Sequence, residues 1–435
     1  MPGLPGLLEI EPLRRNGDWQ ARVTVPGSKS VTNRALILAA LGRGWAELRG
    51  ALWSEDTRVM VEALRRLGYE VRVDPDPAEG ANRTIRVLGT GRGPVAGGTG
   101  SAPVDLWVGN AGTAARFLTA LVCLGEGVFR LRGVDRMHER PQAELFAALR
   151  SMGYRIEAGS DRLPAVVHGG GRRAGRCRVS AQASSQFASA LLLGARVGGW
   201  DVTVEGAAEE ELPYVEMTRR MADVFPEAGG VFEVEADASS GSYFWGADAV
   251  LGEGTRRAGR VEVERWPTSG WQADAAFPGY LPLPAEISRR TDLADSILTA
   301  VVLAPMAERP VRFTELGRLR VQECERVAAL RTELGKCGVR VEEEGDMLTV
   351  HPAERLHGAE IETYGDHRMA MAFAVLGLRV AGIRLRDPAC VGKTFPNFFA
   401  KLAAPVPEGL GVGLYEPVTG RRIGAEEALA GDGTA

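Results

Sequence analysis

Six times along the chain a run of small and apolar residues follows a short polar stretch, at residues 28–41, 110–124, 184–193, 239–250, 292–303 and 366–378. Runs of this kind form helices that belong inside a fold, because too little of their circumference is polar enough to face water. A second motif recurs beside them. Leu64-Arg65-Arg66-Leu67-Gly68-Tyr69-Glu70-Val71 returns as Leu149-Arg150-Ser151-Met152-Gly153-Tyr154-Arg155-Ile156 and as Leu334-Gly335-Lys336-Cys337-Gly338-Val339-Arg340-Val341. Each is a 3.6-period pattern stopped by a glycine, which takes the left-handed cap conformation at little cost, and then an alternating strand. The repeats predict six α-plus-β units arranged as two domains of three, with alanine-rich helices buried inside and their polar N-termini collected at one place.

A chain of 435 residues, 45% hydrophobic and 25% charged, is long enough for two cores. Its formal charge of −4 is spread without a basic stripe, which argues against wrapping nucleic acid or an anionic membrane. The apolar runs, such as 297–306, are too short to span a bilayer, and no basic leader with an apolar core opens the sequence. Five dispersed cysteines without Cys-x-x-Cys spacing fit neither a disulfide framework nor a zinc site and point to a reducing cytoplasm. The stretches 89–103 and 267–284 read as irregular connections, and the tail after about residue 403 as peripheral.

The first helix opens with Pro26-Gly27-Ser28-Lys29-Ser30-Val31-Thr32-Asn33-Arg34. Unpaired N–H groups and the positive end of the helix dipole, backed by two cations, make an anion grip. The plainer reading is a serine cap with solvated charges. Lys29, Arg34, Arg116, Arg136, Arg140, Arg326, Arg368 and Lys393 recur at such polar junctions, as two anionic substrates sharing one site would require. Glu323 and Glu325, with Asp292 and Asp295, add carboxylates beside them. By itself Glu-x-Glu-Arg is ordinary surface ion pairing, and Asp295 before an apolar run is an ordinary helix cap. His367 has no second histidine three or four positions away, so packing suits it better than a metal. Two nucleotide motifs are incomplete: Asp387 stands where the first glycine of a phosphate loop ending at Gly392-Lys393-Thr394 belongs, and Pro94 denies Gly89-Thr90-Gly91-Arg92-Gly93 its helix.

Together these blocks resemble the 5-enolpyruvylshikimate-3-phosphate synthase (3-phosphoshikimate 1-carboxyvinyltransferase) family. The likeness runs from residue 25 to about 402. It is carried by the first-helix motif, Gly109-Asn110-Ala111-Gly112-Thr113-Ala114, Arg136-Met137-His138-Glu139-Arg140-Pro141, Ser184-Ser185-Gln186-Phe187, Asp237-Ala238-Ser239-Ser240, Asp366-His367-Arg368-Met369-Ala370-Met371 and Lys393-Thr394-Phe395-Pro396. The resemblance implies an α/β fold of two domains, residues 26–235 and residues 1–25 with 236–435, each made of three βαβαββ-like units with buried helices, an inside-out α/β barrel. It implies transfer of the enolpyruvyl group of phosphoenolpyruvate to the 5-hydroxyl of shikimate 3-phosphate with release of phosphate, on the way to chorismate and the aromatic amino acids. The same resemblance implies a cytoplasmic monomer with no cofactor and no metal, whose domains close on the substrates, and glyphosate competing with phosphoenolpyruvate.

Carried over residue by residue, the resemblance gives Asp295 the hydroxyl proton, Glu323 the proton at the methylene carbon, and Lys29 a bridge between the substrates with a share in proton transfer. Phosphoenolpyruvate would be held by Lys29, Asn110, Gly112, Arg140, Gln186, Arg326, Arg368 and Lys393. Shikimate 3-phosphate would be held by Lys29, Ser30, Arg34, Ser184, Ser185, Gln186, Tyr214, Asp295 and Gln322. The chain departs from the family pattern at Glu211 (Ser), Gln322 (Lys) and Phe117 (Pro), and its segments 214–237 and 274–292 are short for the strands of units three and four. A sister enzyme acting on UDP-N-acetylglucosamine carries a reactive cysteine just before the Arg140 position, but residues 125–139 contain none. An enolpyruvyl transferase for another phosphorylated alcohol and a non-catalytic anion-binding relative stay open as alternatives.

Overall fold

The computed structural model describes residues 3–14, 17–206 and 212–430; Glu211 lies outside them. The chain divides into two compact units, Gly27–Glu235 and Met1–Pro26 with Ala236–Ala435.

In the unit Gly27–Glu235 the helices Lys29–Leu41, Gly112–Cys123 and Ser185–Gly198 form the centre and pack on one another. Every residue of Gly112–Cys123 is buried, and Lys29–Leu41 is buried from Val31 onward. Leu36, Leu118 and Phe187 are wholly enclosed there. Burying side chains of this size contributes about 1.5–3 kcal/mol each. Sheets lie outside the helices. The group Val104–Trp107, Glu126–Arg132, Arg155–Ala158 and Ala165–Gly170 pairs in the order first, second, fourth, third, with a parallel first pair closed by an antiparallel hairpin. Between its second and third strands runs the outer helix Ala143–Ser151, after which Gly153 turns at φ +87°. The same order recurs in Gly230–Glu233, Arg43–Leu52, Asn82–Thr90 and Val71–Pro75. The glycine-rich stretch is therefore partly strand. Gly89 is obligatory within it, because a Cβ would lie 2.4 Å from the Ala39 carbonyl oxygen.

The third group differs from the expected βαβαββ unit. Gly175–Ser180 and Trp200–Glu205 pair in parallel and have no further strand among the described residues. The helix Leu212–Val224 consumes most of the short segment after them, and Gly230–Glu233 pairs with Arg43–Leu52 instead. The first sheet is thus completed by residues that follow the third.

The other unit repeats the plan around Ala238–Val250, Ile297–Leu303 and His367–Gly377. Glu286–Ser288, Val311–Thr314, Met347–Val350 and Val341–Glu344 give the four-stranded order again, whereas Ala21–Val23 and Val261–Val263 form a bare parallel pair. Here too the group with the short connection has lost its hairpin. The inner run 292–303 is helical only from Ile297, because the Ser288 N–H donates to Asp292 Oδ2 at 2.8 Å and commits the preceding residues to a turn. The connection 267–284 contains a 3-10 helix, Ala273–Tyr280.

The tail is not peripheral. Leu414–Glu416 pairs antiparallel with Leu7–Ile10, which pairs on its other edge with Ile383–Arg386, in a sheet bounded by Glu360–Glu362 and Arg421–Arg422. Leu410, Leu414 and Ala428 are fully buried. Their apolar side chains are spaced too irregularly among glycines for periodicity to reveal a strand. Among the described residues no helix is long and apolar enough to cross a membrane, and no group of His, Cys, Asp and Glu side chains gathers as a metal ion would need.

Candidate active site

In the unit Gly27–Glu235 the inner helices begin with unspent donors. Lys29–Leu41 and Gly112–Cys123 have no side-chain cap, whereas Ser184 accepts the Gln186 N–H at 3.3 Å. A Cβ placed on Gly112 would stand 2.7 Å from Arg140 Nη2 and 3.0 Å from both Arg116 Nη1 and Gln186 Oε1. Two guanidiniums and an amide therefore converge on the start of one helix. Arg140 Nη1 donates to the Asn110 carbonyl at 3.2 Å. Arg116 is buried and donates to the Pro141 carbonyl at 2.7 Å, so it braces the loop that carries Arg140. Gln186 Oε1 is buried with no hydrogen-bond donor among the described residues. Uncapped N–H groups beside arginine forks are what an anion needs.

Lys29 Nζ lies 3.1 Å from Asp56 Oδ2, a nearly buried carboxylate. Arg34 is directed into the protein: Nε donates to Thr218 Oγ1 at 2.7 Å, Nη2 to Ser189 Oγ at 3.0 Å, and Nη1 to the Ser30 carbonyl at 3.0 Å. It also reaches the Tyr214 carbonyl and lies over the Phe117 ring, which occupies the second turn of its helix. Ser185 starts its helix next to Ser184. Arg136 does not join this group; it forms a surface pair with Glu139 at 2.6 Å.

The second unit carries a dense ionic cluster. Asp295 does not cap its helix, whose N-cap is Ser296. Its carboxylate instead lies 2.9 Å from Arg368 Nη2, 3.6 Å from Arg289 Nη2 and 3.9 Å from Arg326 Nη1. Burial pushes this carboxyl up, but Arg368, Arg326 and Arg289 outweigh burial and the opposing Glu323 and bring it down to about 2. Its Oδ1 is buried and accepts no hydrogen bond among the described residues.

Arg326 is the hub. Its side chain is 1% exposed and lies 2.6 Å from Asp366 Oδ2 and 3.0 Å from Glu323 Oε2, with the Gln322 amide oxygen on Nη1. Burial disfavours its charge, yet Asp366, Glu323 and Asp295 together raise its pKa. Lys393 Nζ reaches Glu323 Oε1 at 3.2 Å. Asp366 also caps the helix His367–Gly377 through the Arg368 N–H at 2.9 Å, so one carboxylate orients both arginines. The two glutamates of Glu-x-Glu-Arg separate completely. Glu325 caps Arg326–Lys336 through the Ala328 N–H and pairs with Arg320, a structural task, while Glu323 faces Arg326 and Lys393. Asp292 serves its turn, and His367 is buried beside Asp366.

Sequence reasoning missed Asp56, Arg289 and Asp274. Asp274 is buried in Ala273–Tyr280, and burial and the charge of Asp295 raise its pKa against the hydroxyls of Ser239 and Ser296. A Glu-Asp-Thr at a helix start and an Asp in an irregular loop carry no sequence signal of their own.

A family model described as EPSP synthase (3-phosphoshikimate 1-carboxyvinyltransferase) matches residues 13–226 and 283–402. A 3-phosphoshikimate 1-carboxyvinyltransferase of Opitutus terrae is 39% identical over 92% of this chain and 97% of its own length. One of Pseudomonas savastanoi is 39% identical over 88% and 94%. The fold is similar to a solved EPSP synthase from Acinetobacter baumannii, with a TM-score of 0.70 at 21% identity, covering 94% of this chain and 100% of that one. It is also similar to the enolpyruvyl transferase NikO from Streptomyces tendae, with a TM-score of 0.65 at 17% identity, covering 94% and 98%. These matches, over most of the length of each chain, show that the chain belongs to the EPSP synthase (3-phosphoshikimate 1-carboxyvinyltransferase) family.

Proposed function

We propose that this chain transfers the enolpyruvyl group of phosphoenolpyruvate to the 5-hydroxyl of shikimate 3-phosphate and releases phosphate. The hydroxyl loses its proton as its oxygen bonds to the central carbon of the enol, and the methylene carbon gains a proton. Loss of phosphate and of a methyl proton from the resulting tetrahedral ketal regenerates the double bond. The observation that carries this reading is Asp295: three arginines surround its carboxylate, yet its buried Oδ1 accepts no hydrogen bond among the described residues. An oxygen in that condition fits a base awaiting a hydroxyl.

A carboxylate with a pKa of about 2 is a weak base. Binding of anionic substrates would correct this. A phosphate or carboxylate engaging Arg368 and Arg326 competes with Asp295 for them, and its basicity rises as compensation is withdrawn. Glu323, between Lys393 and Arg326, gives and retrieves the methylene proton. Arg326, Arg368 and Lys393, with Arg140, Gln186, Asn110 and the Gly112 helix start, bind phosphoenolpyruvate. Ser30, Ser184, Ser185, Gln186, Tyr214 and Gln322 hold shikimate 3-phosphate, Arg34 acting through Ser30 and Tyr214, and Lys29 touches both substrates. The enzyme works as a cytoplasmic monomer without nucleic-acid partners, in keeping with cysteines that are all free thiols.

The test is phosphate release from phosphoenolpyruvate with shikimate 3-phosphate, and with UDP-N-acetylglucosamine as control. Release with shikimate 3-phosphate alone is expected; release with neither acceptor would overturn the reading.

A further inference from the structure

Asp274 has both carboxylate oxygens turned into the protein. Its Oδ1 accepts the Ala294 N–H at 2.8 Å, the Ser296 N–H at 3.1 Å and the Ser296 hydroxyl at 2.6 Å. Its Oδ2 meets the hydroxyl of Ser239, in the first turn of Ala238–Val250. The two backbone donors flank Asp295 on either side. Residues leading into a helix are ordinarily fixed by a cap, but here the N-cap Ser296 makes no cap bond, since its hydroxyl goes to Asp274. The loop that supplies Asp274 is itself tied down: Gln272 Oε1 accepts the Ala238 N–H at 2.9 Å and Gln272 Nε2 donates to the Ala236 carbonyl at 2.8 Å. With its acceptors occupied by protein donors and 4% of its surface exposed, Asp274 is not placed to touch substrate.

We propose that Asp274 is a positioning residue for Asp295, a carboxylate clamp that replaces the missing helix cap and fixes the backbone at residues 294–296. The proposal rests on the reading of Asp295 as the base. Without the clamp, the peptide groups on both sides of Asp295 lose their acceptor, and the side chain is drawn onto its cations. The charged groups facing Asp295 are Arg289, Arg326, Arg368, Glu323 and Asp274; those facing Asp274 are Asp295 and Arg368, with the two serine hydroxyls. A misplacement on the order of 1 Å at a reacting group can cost about a hundredfold in rate.

Three variants separate clamp from charge. Asp274→Ala removes all four bonds and should lower kcat by about 10²-fold, with KM for both substrates within about threefold of native. Asp274→Asn keeps the Oδ1 acceptor, and its amide can donate to the Ser239 oxygen, so it should restore turnover to within about tenfold of native. Ser296→Ala keeps both backbone bonds and should lie between them, and, since both Asp274 variants lose the same charge, the acid limb of kcat should shift further in Asp274→Ala than in Asp274→Asn. Native turnover in Asp274→Ala, or equal losses in Asp274→Ala and Asp274→Asn, would overturn the proposal. If circular dichroism shows Asp274→Ala unfolded, the decision passes to Ser296→Ala, where an unchanged kcat and acid limb overturn it and a lowered kcat with native KM supports it. A native chain that releases no phosphate with shikimate 3-phosphate would defeat the functional reading instead, which keeps the two failures distinct.

Discussion

The two units meet the demands of anion chemistry in opposite ways. Around Gly112 two uncapped helix starts and Arg140 gather, with Lys29 steadied by one carboxylate, and the Gln186 amide oxygen accepts no hydrogen bond among the described residues. Around Arg326 the charges are already matched, cation against carboxylate, through Asp295, Glu323 and Asp366. The first region resembles a receptor, ready to be completed by a ligand. The second is a poised ionic network in which a ligand must displace existing partners, and that displacement changes proton affinities.

The largest expected effect would test the claim that only one region depends on internal pairing. Arg326→Met leaves Asp366, fully buried, without its cation and should cost about 3–5 kcal/mol in urea unfolding. Arg140→Met, which gives up a bond to the Asn110 carbonyl, should cost no more than about 1 kcal/mol. Equal losses would erase the contrast.

Next come the groups assigned to proton transfer. Asp295→Asn and Glu323→Gln should each lower turnover by about 10²-fold or more, and a near-native rate in either would remove that residue from the chemistry.

A smaller effect is pH-dependent stability. Asp295 falls to about 2 from an ordinary carboxyl value near 3.8. A depressed pKa stabilises the fold above the unfolded value, and the gain disappears as pH falls from about 4 toward 2, amounting to about 2 kcal/mol. Unfolding at pH 6 and at pH 3 should show this decline in the native chain and a shallower one in Asp295→Asn; parallel declines would disprove the compensation.

The smallest effect sharpens the receptor side. A methyl group at Gly112 would sit 2.7 Å from Arg140 Nη2, so Gly112→Ala should weaken glyphosate several-fold and phosphoenolpyruvate less, because the longer ligand needs more of that space. Inhibition constants measured for both ligands decide it, and unchanged glyphosate inhibition would count against a crowded loop.

Fold class was legible because the buried helices repeat a strong pattern, while Glu55–Arg66, Ala143–Ser151 and Arg326–Lys336 end at glycine stops, Gly68, Gly153 and Gly338, all at positive φ. The strand Leu414–Glu416 was not legible, since its burial depends on a partner some four hundred residues away. The site divides similarly. Lys29 and Gly112 announce themselves locally through hydroxyls, glycine and a helix start, whereas Glu323 and Glu325 stand in almost the same sequence surroundings and part only when Lys393 arrives from 70 residues away to meet Glu323. Asp274 and Arg289 lie in segments whose composition signals only a loop, and tertiary contact alone gives them work.

The pairing of Leu7–Ile10 with both Ile383–Arg386 and Leu414–Glu416 also sets an order of events on the ribosome. Leu7–Ile10 has neither neighbour until residues 383–416 have been made, while Gly27–Glu235 is contiguous and can condense during translation. A circular permutant that opens the chain near residue 27 would turn the interrupted unit into an uninterrupted one, and this early strand would no longer wait for its partners.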